Sequence, residues 1–478
     1  MAITTNDAIL SMLKVYYAKD GLQNLMFRND PVLKSIKKER VEGKVQNFST
    51  MYGRGGAAGG NFTAAAALAA TVSKNAEFSV VPGQLFSVYT MNSKEVQASK
   101  TRRGAYMKVA GAKMFAASES FRKTMAAAFY GSGYGEIAKI VVPAGGYTAS
   151  TPVNVTLPMH AIMKIDVGSV LEVVTAKTAP APTTPVTLTV NSINGAVVNV
   201  TPSANIAANT YVLRLQGSVD ANGSPLLPMG LDGWLPVAGR RTGNAWATLI
   251  NTSFFGVNRS VAPDRLAGGY VESLKIGTGA TATIEEKYKT LQRAIQTARR
   301  QGSIADLIVL NDEDWLALAN EIQTTNTYFT QTSTKEKRKA TVGYDSFSAS
   351  FSTNYIESIV DTPYCPKGRF YVLDKAALEF WSYTNTEKLE DGVAGNQPGK
   401  PDPVDMDNSG KESDPYGLII DDYLNIQPGQ NTIDGPASQV TLQFFGSLAV
   451  VNPSVCVVGE FADHLDNSYN LVFEDFAI

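Results

Sequence analysis

The sequence predicts an α+β chain built around one long helix and interrupted by a separate β-rich unit. Three observations carry that expectation. An apolar stripe of helical period runs from Tyr106 to Ala128. The composition then changes: residues 138–218 hold six charged side chains, Lys139, Lys164, Asp166, Glu172, Lys177 and Arg214, among Val, Thr, Pro, Gly and Asn. From about residue 224 helical and strand patterns alternate again.

Residues 6–20 read as a short amphipathic helix, with Asn6 as cap and Ile9, Leu13 and Tyr16 at helical spacing. "NDPVLKSIKKER" opens a second short helix after Asn29 or Asp30, with Pro31 in the permissive first turn. "KVQNFSTMY" (44–52) alternates as a strand, and 77–100 reads as a strand pair or one long bent strand. Between them, thirteen of the nineteen residues 53–71 are Gly or Ala. The arrangement predicts a two-stranded arm with a flexible tip.

The clearest helix is 102–131. Tyr106, Ala110, Met114, Ala117, Phe121, Met125 and Ala128 lie on one face, and Gly131 can end it. At 1.5 Å per residue it would run roughly 45 Å, enough to span a domain. In the β-rich unit, "TPVTLTVNSINGAVVNVTPSANI" reads as strand, Asn-Gly turn, strand. "IMKIDVGSVLEVVTA" and "TYVLRLQGS" add further strands, giving a barrel or sandwich of about six strands.

Further on, "TIEEKYKTLQRAIQTARRQG" reads as a helix with Ile284, Tyr288, Leu291, Ile295 and Ala298 on one face. Thr283 and Glu286 would form its capping box and Gly302 its stop. "ADLIVLND" is a buried strand, after which Asn311 caps the helix "DEDWLALANEI". Strands follow at 368–374 and 377–383, a polar loop at 391–417, and closing strands in "SQVTLQFFGSLAVVNPSVCVVGEF".

Composition narrows the function. The chain has 478 residues, a net charge of −2, and 18% charged residues. The low charge suits a chain whose surface meets neighbours, and equally an enzyme with a large core. A near-neutral balance argues against dedicated nucleic-acid binding. The basic runs "KSIKKER" (34–40) and "KEKRK" (335–339) read as solvated surface. The two cysteines, Cys365 and Cys456, lack metal-ligand spacing and imply no disulfide framework. Neither a signal peptide nor a transmembrane helix is expected.

Catalytic patterns are missing from the sequence. The two histidines, His160 and His464, read as structural or surface residues, and HExxH, paired CxxC and GxSxG do not occur. In "GSGYG" (131–135), Ser132 stands one position off a nucleophile elbow. A phosphate loop needs a Lys after its last Gly, but Gly60 is followed by Asn61 and Phe62. Asp405, Asp407, Ser409 and Gly410 match the start of a calcium loop, yet Tyr416 stands where a bidentate Glu belongs. No catalytic, cofactor-binding or metal residues are nominated, and no cofactor is expected.

The order of elements resembles the major capsid proteins of tailed bacteriophages, which have the Hong Kong phage (HK-97) fold. "NDPVLKSIKKERVEGK" resembles that family's arm leading into its extended E-loop, and "TRRGAYMKVAGAKMFAASESFRKTMAAAFYG" its spine helix. The passage that follows the spine looks split between "AAFYGSGYG" (127–135) and "SPLLPMGLDGWLP" (224–236). "LQRAIQTARRQGSIADLIVLNDEDWLALA" and "VDTPYCPKGRFYVLDKAALEFW" resemble its peripheral and axial domains. Within the family the chain resembles capsid proteins of crAss-like phages of gut bacteria.

The resemblance implies an N-terminal arm (1–43), an E-loop hairpin (44–101), and a peripheral domain with the spine helix (102–135). An inserted all-β domain (136–223) would follow, then the peripheral domain continued (224–300), an axial domain (301–435) and closing peripheral strands (436–478). It implies a structural subunit, not an enzyme, that self-assembles into hexamers and pentamers of an icosahedral shell. The implied partners are the chain itself, portal, decoration or auxiliary capsid proteins, and packaged double-stranded DNA by non-specific proximity; no membrane is involved. The implied place is the virion, assembled in the host bacterial cytoplasm. The family's Lys–Asn crosslink has no recognisable motif here. The alternative is another virion structural protein, of tail or decoration type, with the β-unit as its working part.

That role gives the Gly/Ala stretch a physical sense. Small residues let backbones approach closely, and ordering glycine carries an entropic cost that contact with a neighbour could offset.

Overall fold

The structure is a computed structural model. It describes residues 32, 36–53, 60–63, 74–92, 120–237, 254–276, 283–325, 358–382 and 431–461, apart from 42, 122, 177, 433 and 434. The expected helix at 6–20, the first part of the long helix (102–119), the 335–339 run and the 391–417 loop lie outside these residues.

Near the start of the described chain are β1 (Lys37–Arg40), β2 (Gln46–Gly53), β3 (Lys74–Val80) and β4 (Gly83–Asn92). Next come β5 (Glu136–Val141), β6 (Val153–Thr156), β7 (Val170–Val174), β8 (Thr187–Asn194), β9 (Val197–Pro202) and β10 (Thr210–Leu215). After Trp234 follow β11 (Gly269–Glu272), β12 (Lys275–Ile276), β13 (Thr283–Ile284), β14 (Leu307–Leu310) and β15 (Ser358–Asp361). The last are β16 (Arg369–Leu373), β17 (Leu378–Ser382), β18 (Asn431–Thr432), β19 (Gly435–Val450) and β20 (Val457–Glu460). The result is a mixed α/β fold with few helices.

The central layer is the sheet β11-β20-β16-β14-β15. Its strands are apolar on both faces, which explains why "LIVL" and "RFYVL" show no polar alternation. Leu307, Val309, Tyr371, Leu373 and Val458 enter one hydrophobic cluster. Their neighbours Ile308, Leu310, Phe370, Val372 and Val457 enter another, beneath the Lys287–Arg300 helix. That period-2 split sandwiches the sheet between two cores.

The Lys287–Arg300 helix presents Leu291, Ala294, Ile295 and Ala298 to the sheet, on the expected stripe. Gly302 stops it at φ 92°, its N–H donating to the Arg299 carbonyl at 2.9 Å. The expected capping box does not form. Thr283 and Ile284 pair with β12, so the helix starts later, at Lys287, without a side-chain cap from Glu286. Glu321 of the next helix instead accepts from the Tyr288 N–H at 3.4 Å. Asn311 behaves as expected: its side-chain oxygen accepts from the Glu313 N–H at 3.0 Å.

The second sheet joins β1, β17 and β19, with β4 and β18 also on β19. Here the helix expected over "NDPVLKSIKKER" is corrected: Lys37–Arg40 is a strand, parallel to β17. An edge strand tolerates charge, and Lys37 reaches Glu39 and Glu379 there. Val32, just upstream, is helical and buried. β19 pairs with β4 from Ala437 to Gly446 and with β17 from Gly446 to Val450. Residues 77–92 are thus a bent run whose halves serve different sheets, and not a strand pair.

Between residues 136 and 215 the order is β5-β10-β7-β8-β9-β6, all antiparallel and paired only among themselves. A tight turn joins β8 and β9 as expected, but one residue on: Asn194 still pairs with Val197, and the turn residues are Gly195, at φ 56°, and Ala196. A helical turn, Met159–Ile162, occupies part of what read as strand. The unit has its own apolar cluster, including Ile137, Leu157, Leu171, Leu188, Val200 and Leu213. Inside it Arg214, fully buried, donates to Glu172 at 2.8 Å and to the Ala179 carbonyl at 2.7 Å.

Of the long helix, 120–121 and 123–130 are described and helical. Phe121, Met125 and Ala128 are buried as the stripe required, but so are Ala126, Ala127, Phe129 and Tyr130. The C-terminal turns of this helix are therefore buried all round.

Candidate functional site

The hairpin β2–β3 is the first candidate. Seven residue pairs run from Gln46↔Val80 to Gly53↔Lys74, in antiparallel register. Its base is held by aromatic packing. Phe48 and Phe78 stack, Trp234 sits edge-on to Phe78 at 5.3 Å, and Trp381 edge-on to Phe48 at 5.5 Å. Thr50 donates its hydroxyl to the Val451 carbonyl at 2.8 Å. Arg259 clamps Trp234 from behind: it lies 3.9 Å over the Phe254 ring and donates to the carbonyls of Gly233 and Trp234.

Exposure rises away from that anchor. Met51 is 57% exposed and Phe62, among the residues described beyond the strands, 86%. The Asn61 side chain accepts from the Thr63 N–H at 2.9 Å, a local turn bond. The other residues of 54–73 lie outside the described set. The geometry is a hairpin rooted in the core of the chain, with the apolar side chains of Met51 and Phe62 exposed.

A second feature is a buried charged network behind the central sheet. Arg369 meets Asp232 at 2.6 Å and Glu460 at 3.7 Å. The Tyr270 hydroxyl lies 3.0 Å from Glu460 and 3.1 Å from Glu272. Burial, then the charges of Glu460 and Glu272, push the Tyr270 hydroxyl far above its ordinary range. Asp314 ties Lys287 at 3.0 Å to the Gly368 N–H at 2.5 Å. These groups hold one another across strand and loop ends, so the network joins elements without presenting a free acid or base.

The residues weighed for chemistry do not converge. His160 is buried in the Met159–Ile162 turn of the β-unit, and His464 lies outside the described residues. Ser132 is buried; its hydroxyl donates to Glu136 at 2.5 Å and its N–H donates to the same carboxylate oxygen at 3.0 Å. Cys365 and Cys456 are buried free thiols. Burial pushes the Cys456 thiol up to about 12, which keeps it protonated and inert at neutral pH. The 405–416 calcium-like loop falls outside the described residues. Among those described, no cluster of metal-ligating side chains occurs and no helix is long and apolar enough to cross a membrane.

Sequence reasoning missed the junction between the β-unit and the rest of the chain. There the buried Lys164 and Glu136 line a small cavity of about 20 Å³ with Thr124 and Ala128. A hint was available: in a stretch with six charges, Lys164, Glu172 and Arg214 turn out buried.

No protein-family model matches the chain, and no curated protein matches it. Solved structures to which it is similar include chains of capsids. One is a chain of the cyanophage A-1(L) capsid asymmetric unit, 13% identical, TM-score 0.47, covering 90% of this chain and 92% of that one. Another is a chain of the capsid of an empty GTA particle, 11% identical, TM-score 0.38, covering 90% and 89%. A third is a chain of the satellite phage P4 procapsid, 9% identical, TM-score 0.33, covering 96% and 98%. At these identities and TM-scores no residue correspondence is carried over.

Proposed function

We propose that this chain is a phage major capsid subunit, a structural protein that self-assembles into hexamers and pentamers of an icosahedral shell around DNA. One observation carries the reading: the β2–β3 arm is anchored by Phe48 and Phe78 in its own core while Met51 and Phe62 face outward. An arm with a stiff root and an apolar exposed half stabilises a contact with a neighbour better than it stabilises its own subunit. The order of sequence elements supports the same family. The near-neutral charge suits a shell that must not grip its cargo.

On this reading, the chain works in the virion and turns over no substrate. Residues 136–223 are an inserted unit, supported by their self-contained sheet and core. That autonomy also favours the second reading, a tail or decoration protein with this unit as its working part. Negative-stain microscopy of the purified chain separates the two. Shells, or free hexamers and pentamers, are expected; tubes, small rings or a monodisperse monomer would reject the capsid reading.

A further inference from the structure

The β-unit is joined to the body by two connections, residues 131–135 and 216–230. Glycines punctuate both. Gly133, Gly135, Gly217 and Gly223 take φ of 82°, 68°, 75° and 84°, conformations that cost other residues strain. The connections bond to each other: the Leu215 N–H donates to the Gly135 carbonyl at 2.9 Å and the Leu227 N–H to the Gly133 carbonyl at 3.3 Å. Ser218 donates its hydroxyl to the Tyr134 carbonyl at 2.7 Å. Bending this glycine-bearing stem opens these few bonds without disturbing the strands of the unit.

Two charged contacts bridge the stem. On the outside, Lys123 of the body helix meets Asp166 of the β-unit at 2.9 Å, both partly exposed. On the inside, Lys164 follows the Met159–Ile162 turn, its N–H donating to the Ala161 carbonyl at 3.1 Å. Its side chain is buried at the junction and lines the small cavity there with Glu136 and with Thr124, Ala127 and Ala128 of the body helix. Burial lowers its pKa. The β-unit thus seats a buried lysine against the end of the body helix. Nearby, a Cβ on Gly230 would sit 2.2 Å from the Ala128 carbonyl oxygen, so the second connection is pressed against the helix end.

A buried charge is costly unless its partners stay in place, so such a group selects one geometry more than it adds stability. We propose that Lys164, with the Lys123–Asp166 bridge outside it, is a latch that holds the β-unit in one orientation on the body, and that the glycine-bearing connections are the hinge on which it turns once the latch is removed. This goes beyond the capsid reading, because it concerns the free chain.

The test is amide hydrogen exchange on the full-length chain. K164M should speed exchange in 131–135 and 215–227 by roughly tenfold, while strands 170–174, 187–194 and 210–214 keep wild-type rates. Wild-type rates at the connections would overturn the proposal, as would equal acceleration through the strands, which reports unfolding. K123D should accelerate the same connections, and the swap K123D/D166K should restore them. If K164M folds too poorly to measure, this second series decides alone: wild-type rates in K123D, or no rescue by the swap, overturn the latch.

Discussion

Phe48 and Phe78 face each other directly across the β2–β3 hairpin, their rings stacked with centroids 5.3 Å apart. Phe78 is fully buried and Phe48 partly so. The pair converts a surface hairpin into an extension of the core. Phe78→Ala is expected to destabilise the chain by about 3–5 kcal/mol, read from the midpoint of denaturant unfolding. A loss below about 1 kcal/mol would mean that the hairpin base is not anchored this way.

The far side of the arm should behave in the opposite manner. On the capsid reading, Phe62→Ser removes a ring that is 86% exposed in the single chain. Stability of the free chain should change by no more than about 0.5 kcal/mol, while particle yield falls. Unchanged yield by sedimentation would remove Phe62 from the contact surface.

In the β-unit, Arg214 and Glu172 form an ion pair sealed from solvent. Removing one partner strands the other, so Arg214→Met should cost about 3–5 kcal/mol. The double variant R214M/E172L should recover most of it. All four tryptophans (234, 246, 315 and 381) lie outside 136–223, so their fluorescence reports the body. Amide exchange in strands 170–174 and 210–215 reports the unit itself. Accelerated exchange there is expected in R214M and not in the double variant.

Cys456 gives a pH dependence of definite sign. Its thiol is pushed from 9.0 up to about 12 by burial. Above pH 9 the unfolded chain loses this proton while the folded chain keeps it. The contribution is therefore fully present below pH 9 and lost as pH rises toward about 12, at up to about 1.4 kcal/mol per pH unit. Denaturant titrations from about pH 8 to about pH 11 should show a shallower decline in C456A than in the wild type. Equal slopes would contradict the assignment.

Local pattern was legible where one segment holds its own signal. The Leu291–Ile295–Ala298 stripe, the Asn311 cap and, to within one residue, the tight turn at Gly195 could be read from residues close in sequence. Partnership over long distances could not. Lys37–Arg40 has no strand signature, and only its place beside Leu378–Ser382 makes it one. The capping box at Thr283 failed because pairing with Lys275–Ile276 competed for the same residues and won. Of the arm, both strands and the small-residue character of the tip were legible, but the aromatic anchor through Trp234 and Trp381 was not. The junction where Lys164 meets Glu136, Thr124 and Ala128, and the Arg369–Asp232 pair, each draw on distant segments that no local period links.

The capsid reading turns on whether a neighbouring copy covers the exposed half of the arm. Amide exchange over residues 60–63 of the wild-type chain, in the free subunit and in assembled particles, measures this without any substitution. The account predicts exchange slowed by roughly tenfold or more in particles. Equal rates in the two states would contradict it.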